Sequence, residues 1–361
     1  MINLKFKLYG IGKPSDISAG SGTPRLSLGS NSWMLTATTL VMIQSVPALA
    51  LFYAGMTRSR FSMNTVMMVL YSFASTFLVW TILGYSLSFY SSSIHVGGLN
   101  FLGLPLPAWN LPMFGETVYG PTGTPLNIPF LTFVMFQFAF AAITPGLIVG
   151  AIVERTNFKA WMLFSPIWIV LVYAPVAYWL FAGGWLNQLG AVDYSGGYVI
   201  HMTAGYSALA LAMAIGQRGV ITAPLVWMGL YKLLPRLRVD DALGVFPVHG
   251  IGGTVGGLLT GLMIDPAVSQ YFLPGYRGAL FGNWHQFLVQ GLAVLVVGAY
   301  SFIVSLGLAK LIGKITPLRL TRDEIAQGDY AVHGETAYPD VMAKEQIKLE
   351  KKSERKITEE K

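Results

Sequence analysis

The chain has 361 residues, 53% of them hydrophobic and 11% charged, against about 25% charged in a soluble domain, and its mean hydropathy is +0.55. Lipid is therefore its main solvent, and a water-soluble globular fold is excluded. The net charge of +7 sits beside apolar segments and in the tail, which points to membrane orientation and anionic headgroups rather than nucleic acid. Cysteine is absent, which excludes disulfides and thiolate metal sites.

Residues 1–31 read as an extracytoplasmic arm that lacks the apolar core of a secretory signal. Beyond them, no ionised residue lies between Arg25 and Arg58, Arg60 and Glu116, Glu116 and Glu154, Lys159 and Asp193, or Asp241 and Asp265. A bilayer-spanning helix needs roughly 20 mostly apolar residues, and each interval can hold one. The predicted spans are 32–56, 64–90, 127–152, 160–182, 197–216, 242–264 and 286–309, seven in an all-α polytopic bundle. Their continuous apolar runs lack the alternation of a β-barrel. Arg58 and Arg60, then Arg155 and Lys159, then Arg218, Lys232, Arg236 and Arg238 follow alternate spans, whereas the loops 91–126, 183–196 and 265–285 contribute only Arg277. Positive charge marks the cytoplasmic side, so the N-terminus is expected outside and the C-terminus inside.

The segment "APLVWMGLYKLL", 223–234, reaches only about 18 Å as a helix, against roughly 30 Å of hydrocarbon. It is expected to lie on the cytoplasmic face. The membrane domain thus runs over 32–313, internally shortened near 217–234, and 314–361 forms a cytoplasmic tail whose last part, 344–361, reads as solvated.

Two segments carry the chemistry. "DYSGGYVIHMTAG" (193–205) and "DALGVFPVHGIGG" (241–253) each place an Asp eight residues before a His. The first span runs inward and the second outward, which is the pattern of an inverted repeat whose interface holds a substrate site. Each Asp caps a helix start, and each His then sits about 12 Å deep, near the bilayer midplane. Surrounding glycines allow close helix approach. A lone intramembrane His would serve equally as a packing group bonded to a carbonyl. Two at matching positions, where ionisable groups are costly, point to a lined pathway through His201 and His249. No third His or carboxylate lies at that depth, so no metal is expected, and no cofactor.

Five blocks, "ALALFYAGMTRSR" (48–60), "FQFAFAAITPGLIVGAIVERTNF" (136–158), "GAVDYSGGYVIHMTAG" (190–205), "VDDALGVFPVHGIGGTVGGLLTG" (239–261) and "GDYAVHGETAY" (328–338), resemble the ammonium transporter family (Amt/Mep/Rh), of the archaeal or bacterial type. The resemblance implies a homotrimer with one narrow pore per subunit. His201 and His249 match the twin-histidine positions, Phe140 matches the outer-gate phenylalanine with Phe136 one turn above, and Asp193 matches the acidic residue beneath the outer recruitment site. Phe181 stands where the family often has tryptophan. Gly244 and Pro247 replace its usual second Asp and Gly. Family members have eleven spans, and here the stretch from the sixth to the eighth is missing, with 223–234 a remnant of the ninth.

The function implied is transport of ammonium, ammonia or methylammonium by a multi-pass cell-membrane protein that is not an enzyme, with a cytoplasmic PII-type protein as a possible partner. Cation–π contact at Phe136, Phe140, Phe181 and Trp185 would recover part of the desolvation cost of ammonium; Trp185 serves as readily for packing. Paired imidazoles, titrating near neutral pH, would take the proton that potassium does not have. The alternatives are a non-conducting ammonium sensor and a defective remnant. With half of the usual pore wall absent, the histidines are expected to open sideways and transport to be weak or absent.

Overall fold

The computed structural model describes residues 26–111, 117–119, 125–218, 239–270 and 273–339. Most of the 1–31 arm, the 223–234 segment and 344–361 lie outside the described residues. Among the described residues, six helices are long and apolar enough to cross a membrane: α1 (Leu28–Met56), α2 (Ser59–Phe89), α3 (Phe130–Ile152), α4 (Phe158–Gln188), α5 (Gly197–Ile215) and, after a shorter α6 over 246–263, α7 (Trp284–Ile312). The sixth predicted span, 242–264, is α6. It is helical, built from the turns Phe246–Ile251 and Gly252–Met263, and it packs between α5 and α7. Six glycines in its 18 residues hold it below the hydropathy of the others.

The loop 91–126 contains two antiparallel hairpins that the reading as an all-helical chain passed over. Strands β1 (Ser92–Val96) and β2 (Leu99–Gly103) meet at Gly97 and Gly98, whose φ values of 57° and 82° suit the two-residue turn that matches strand twist. Strands β3 (Thr117–Tyr119) and β4 (Pro125–Pro129) form the second.

The core lies along α3, α4 and α5, while α1 and α6 turn large apolar side chains outward, Leu51, Phe52, Val248 and Val255 among them. Three buried indoles serve as cross-helix pins. Trp80 donates to Val134 O at 3.1 Å, and Trp161 to Met68 O and Ser72 Oγ at 3.1 Å. Trp168 reaches Ser207 Oγ and Ser305 Oγ, both at 3.0 Å, and so joins α4, α5 and α7.

A charged network fastens one end of the bundle. Arg58 grips Glu154 through Nη2 and Nε at 2.7 and 3.0 Å, and its backbone N–H donates to the same carboxylate at 2.9 Å. Burial pushes the Glu154 carboxyl up, but the Arg58 bonds and the Arg218 charge bring it below the usual carboxylate range. Arg218 makes a forked pair with Asp240 at 2.8 and 3.0 Å. Arg155, fully buried, donates to Gly216 O at 2.8 Å and to Asp240 O, and burial lowers its guanidinium to about 10. The end of α3, the end of α5 and the approach to α6 thus meet on one cluster.

The tail returns to this same end. Leu320 N–H donates to Arg155 O and Asn157 N–H to Leu318 O, both at 2.9 Å. Helix α8 (Arg322–Gln327) starts with a capping box between Thr321 and Glu324. In α9 (Asp329–His333) the Asp329 carboxylate accepts from the N–H groups of Met63 and Asn64, each at 2.8 Å, and so caps α2 from across the chain. His333 Nε2 lies 3.1 Å from Asn64 Oδ1, and its ring meets Phe158 edge to face.

Two predictions follow from this end of the molecule. Asp240→Asn leaves the buried Arg155 and Arg218 charges undercompensated, so it should destabilise the chain by about 3 kcal/mol, seen as a lower thermal midpoint in detergent. The second concerns the tail. Burial raises Asp329 to about 6 and lowers His333. A raised carboxyl favours docking at low pH and weakens it as pH climbs from about 4 through about 6, whereas a lowered imidazole does the reverse. In His333→Gln, amide-exchange protection over 322–333 should therefore rise as pH falls from about 7 to about 5. In Asp329→Asn it should fall over the same range.

Candidate functional site

The two Asp–His segments are built alike at a constant offset. Asp193 Oδ1 accepts from Gly196 N–H at 2.8 Å, and its Oδ2 from Tyr198 and Val199 N–H at 3.1 and 2.8 Å. Asp241 accepts from Val245 N–H at 2.9 Å and from Phe246 N–H at 2.6 Å. Both carboxylates thus satisfy backbone donors left open at a helix start. Burial pushes both carboxyls up, Asp241 to about 6, against the pull of those N–H groups. Each Asp is followed three residues on by a glycine in the left-handed region, Gly196 (φ 87°) and Gly244 (φ 72°), where a side chain would be strained.

The histidines then fall on wide, π-helical turns, His201 in Gly197–Met202 and His249 in Phe246–Ile251. Such turns shift the side-chain register and recur at functional sites. The helices cross with backbones in contact. A methyl group on Gly205 would collide with the Gly250 backbone, and one on Gly253 with Gly197 O and the Met202 side chain, close against the Met202 backbone. Adding 48 to each member of the Gly205–Gly250 pair gives Gly253 and position 298, whereas exchanging the repeats maps that pair onto Gly253 and Met202. The contacts therefore obey a local two-fold.

On that axis the two imidazoles meet. His201 Nδ1 and His249 Nδ1 are 2.9 Å apart, the rings are inclined by only 2°, and their centroids lie 5.1 Å apart. That separation is the N–N contact plus two ring radii, so the rings lie edge to edge in one plane. A neutral pair can place one proton in this gap, which makes one ring the donor and the other the acceptor. Both rings are half-buried, not sealed.

The other sequence-derived residues are placed as follows. Phe136 and Phe140, on α3, pack edge to face with centroids 4.9 Å apart, and both are half-buried. Phe181 lies in α4 at the edge of the core, and no ring contact among the described residues ties it to the other two phenylalanines. Trp185 stacks on Phe101 at 5.6 Å, and its buried Nε1 has no hydrogen-bond partner among the described residues.

Several groups around the site escaped the sequence reading. Gln290 of α7 holds the residue before Asp193 like a peptide unit: its Oε1 accepts from Val192 N–H and its Nε2 donates to Val192 O, both at 2.8 Å. Tyr198 donates to Gln290 O at 3.2 Å. Tyr206 and Thr254 hydroxyls lie 3.2 Å apart. These two also stand 48 positions apart, a signal that extending the repeat five residues past each histidine would have found.

The Ammonium Transporter Family matches residues 32–220 and 218–338, in two pieces that meet at 218–220. The Archaeoglobus fulgidus protein "Ammonium transporter Amt1" is 30% identical over 415 residues, covering 87% of this chain and all of that one. The Bacillus subtilis "Ammonium transporter" is 29% identical over 418 residues, with 88% of this chain and 100% of that one covered. As 87% of 361 residues is about 314, about 100 of the 415 aligned positions are gaps in this chain. Among solved structures, that of Candida albicans Mep2 shares the fold, with a TM-score of 0.70, 23% identity, and 86% of this chain and 92% of that one covered. A multi-pass membrane protein of 361 residues, shortened internally, this chain belongs to the ammonium transporter family.

Proposed function

We propose that the chain conducts ammonium nitrogen across the membrane along a path centred on His201 and His249. The observation that carries this reading is the coplanar Nδ1–Nδ1 contact of 2.9 Å on the two-fold of the repeat. With one proton in the gap, the donor ring presents a free lone pair on its Nε2 and the acceptor ring presents Nε2–H. An ammonium ion reaching the first can give up a proton while neutral ammonia goes on through apolar surroundings. The proton passes through the Nδ1–Nδ1 bond and leaves from the far Nε2. A potassium ion has nothing to give, so the pair discriminates by chemistry rather than by size.

Phe136 and Phe140 supply the aromatic faces at which a desolvating cation is held, with Phe181 and Trp185 at the rim of the same approach. Asp193 acts through its cap, since both of its oxygens are already occupied by backbone donors. On the charge distribution, the network of Glu154, Arg155 and Arg218 faces the cytoplasm with the tail, and the N-terminus lies outside. The working unit is a homotrimer, the docked tail is the contact surface for a PII-type protein, and the domain limits are 1–31, 32–313 and 314–361. The half-buried state of both rings fits a pore wall that is incomplete in one subunit, so transport slower than that of the unshortened relatives is expected.

Methylammonium uptake in a strain lacking its own transporters tests this. The chain should give weak, saturable uptake that His201→Ala abolishes and that excess potassium does not compete with. Uptake indistinguishable from the empty strain, with the protein present in the membrane, overturns the conduction reading.

A further inference from the structure

We infer that Tyr206 is the positioning residue that holds the His249 turn in register, an assignment that rests on the conduction reading for its functional consequence. The Thr254 hydroxyl donates its one proton to Gly250 O at 2.8 Å. At 3.2 Å from Tyr206 it can therefore only accept, and the chain of donors runs from the Tyr206 O–H through Thr254 Oγ1 to the carbonyl of the residue next to His249. The ring of the same tyrosine packs edge to face on Phe246, with centroids 5.3 Å apart and planes at 84°. Phe246 opens the π-helical turn and Gly250 lies near its end, so one side chain braces both ends of the segment that carries His249.

The brace is fixed from behind. A methyl group on Gly298 of α7 would stand 3.1 Å from the tyrosine ring, so the α7 backbone closes on it and leaves it little freedom. A π-helical turn needs such support, because its wider hydrogen-bond loop is less stable than the α-helical alternative. Relaxation of Phe246–Ile251 to an α-helical register would rotate His249 away from His201. The phenol hydroxyl, placed in an otherwise apolar helix face, is explained by this task. Its place, five residues past His201 as Thr254 is past His249, puts the hydroxyl pair in the same symmetric position as the histidine pair.

The test uses the full chain with Tyr206→Phe, Thr254→Val, the double variant, and Thr254→Ser as the conservative replacement. Two readouts are taken: methylammonium uptake, and the nitrogen-15 signals of the histidine pair in labelled protein, which report the Nδ1–Nδ1 bond directly. Either single variant should lower maximal uptake by about three- to tenfold, the kinetic equivalent of one hydrogen bond, with the half-saturation concentration little changed. Each should also shift the histidine signals toward unpaired imidazole. The double variant should be no worse than either single one, because both break one chain, and Thr254→Ser should restore both readouts. Unchanged histidine signals in Tyr206→Phe and in Thr254→Val would overturn the assignment, as would additive losses in the double variant. Absence of uptake by the unaltered chain fails the conduction reading alone, and the histidine signals then decide this one.

Discussion

Everything at the centre of this molecule depends on how closely α5 and α6 can approach. The Nδ1–Nδ1 contact of 2.9 Å tolerates little error, since a hydrogen bond fades within a few tenths of an ångström beyond about 3.2 Å. Side chains on two helices that meet through ordinary knobs and holes would keep their axes some 8–10 Å apart. Here Gly205 and Gly253 remove the spacer, and backbone rests against backbone. The histidines can then be short relative to the gap they bridge and still meet in one plane. Lipid offers no competing hydrophobic drive between helices, so close packing of this kind is also what holds the pair together.

A contact so tight requires that both helices begin at fixed heights. Asp193 and Asp241 set those heights by capturing the open N–H groups of their helix starts, and Gln290 fixes Val192, the residue before one of them. At the end where Asp241 lies, Arg155 and the Arg218–Asp240 pair also bind the end of α5 to the approach to α6. The histidine contact is therefore clamped from above, from below and, through Tyr206, from the side. Placing charged groups outside the spans and neutral donors within them limits the desolvation penalty to the ends of the bundle, where it is smaller.

The parts of this arrangement that could be read from the sequence are those with a strong local signature. Charge-free intervals mark the long helices, and the Asp–His spacing marks the repeat, because capping and helical rise are properties of a dozen neighbouring residues. The 242–264 segment was read slightly too long, since the left-handed Gly244 and the cap at Asp241 delay the helix to about residue 246. The hairpins of 91–126 were missed, although Gly97–Gly98 between short β-prone runs was a visible turn signal. Other features depend on which helices become neighbours, and no local pattern contains that. Trp168 with Ser207 and Ser305, Gln290 with Val192, and Asp329 with the start of α2 join residues that lie from 39 to 266 positions apart.

The gap of about 100 aligned positions has to be reconciled with this geometry. The two-fold requires α5 and α6 to run in opposite directions, so any loss between them has to remove an even number of crossings. About 100 positions hold three spans with their connections, and with the retained 223–234 segment read as too short to cross, four crossings are lost, an even count. The flanks of the gap are also joined without it. Arg218, next to the break in the family match, is bound to Asp240 through both its side chain and its backbone N–H, and Arg155 binds the carbonyls of Gly216 and Asp240 on either side. The groups that close this junction belong to segments that remain, and so do those that place the histidines. Shortening thus leaves intact the contacts that build the histidine pair.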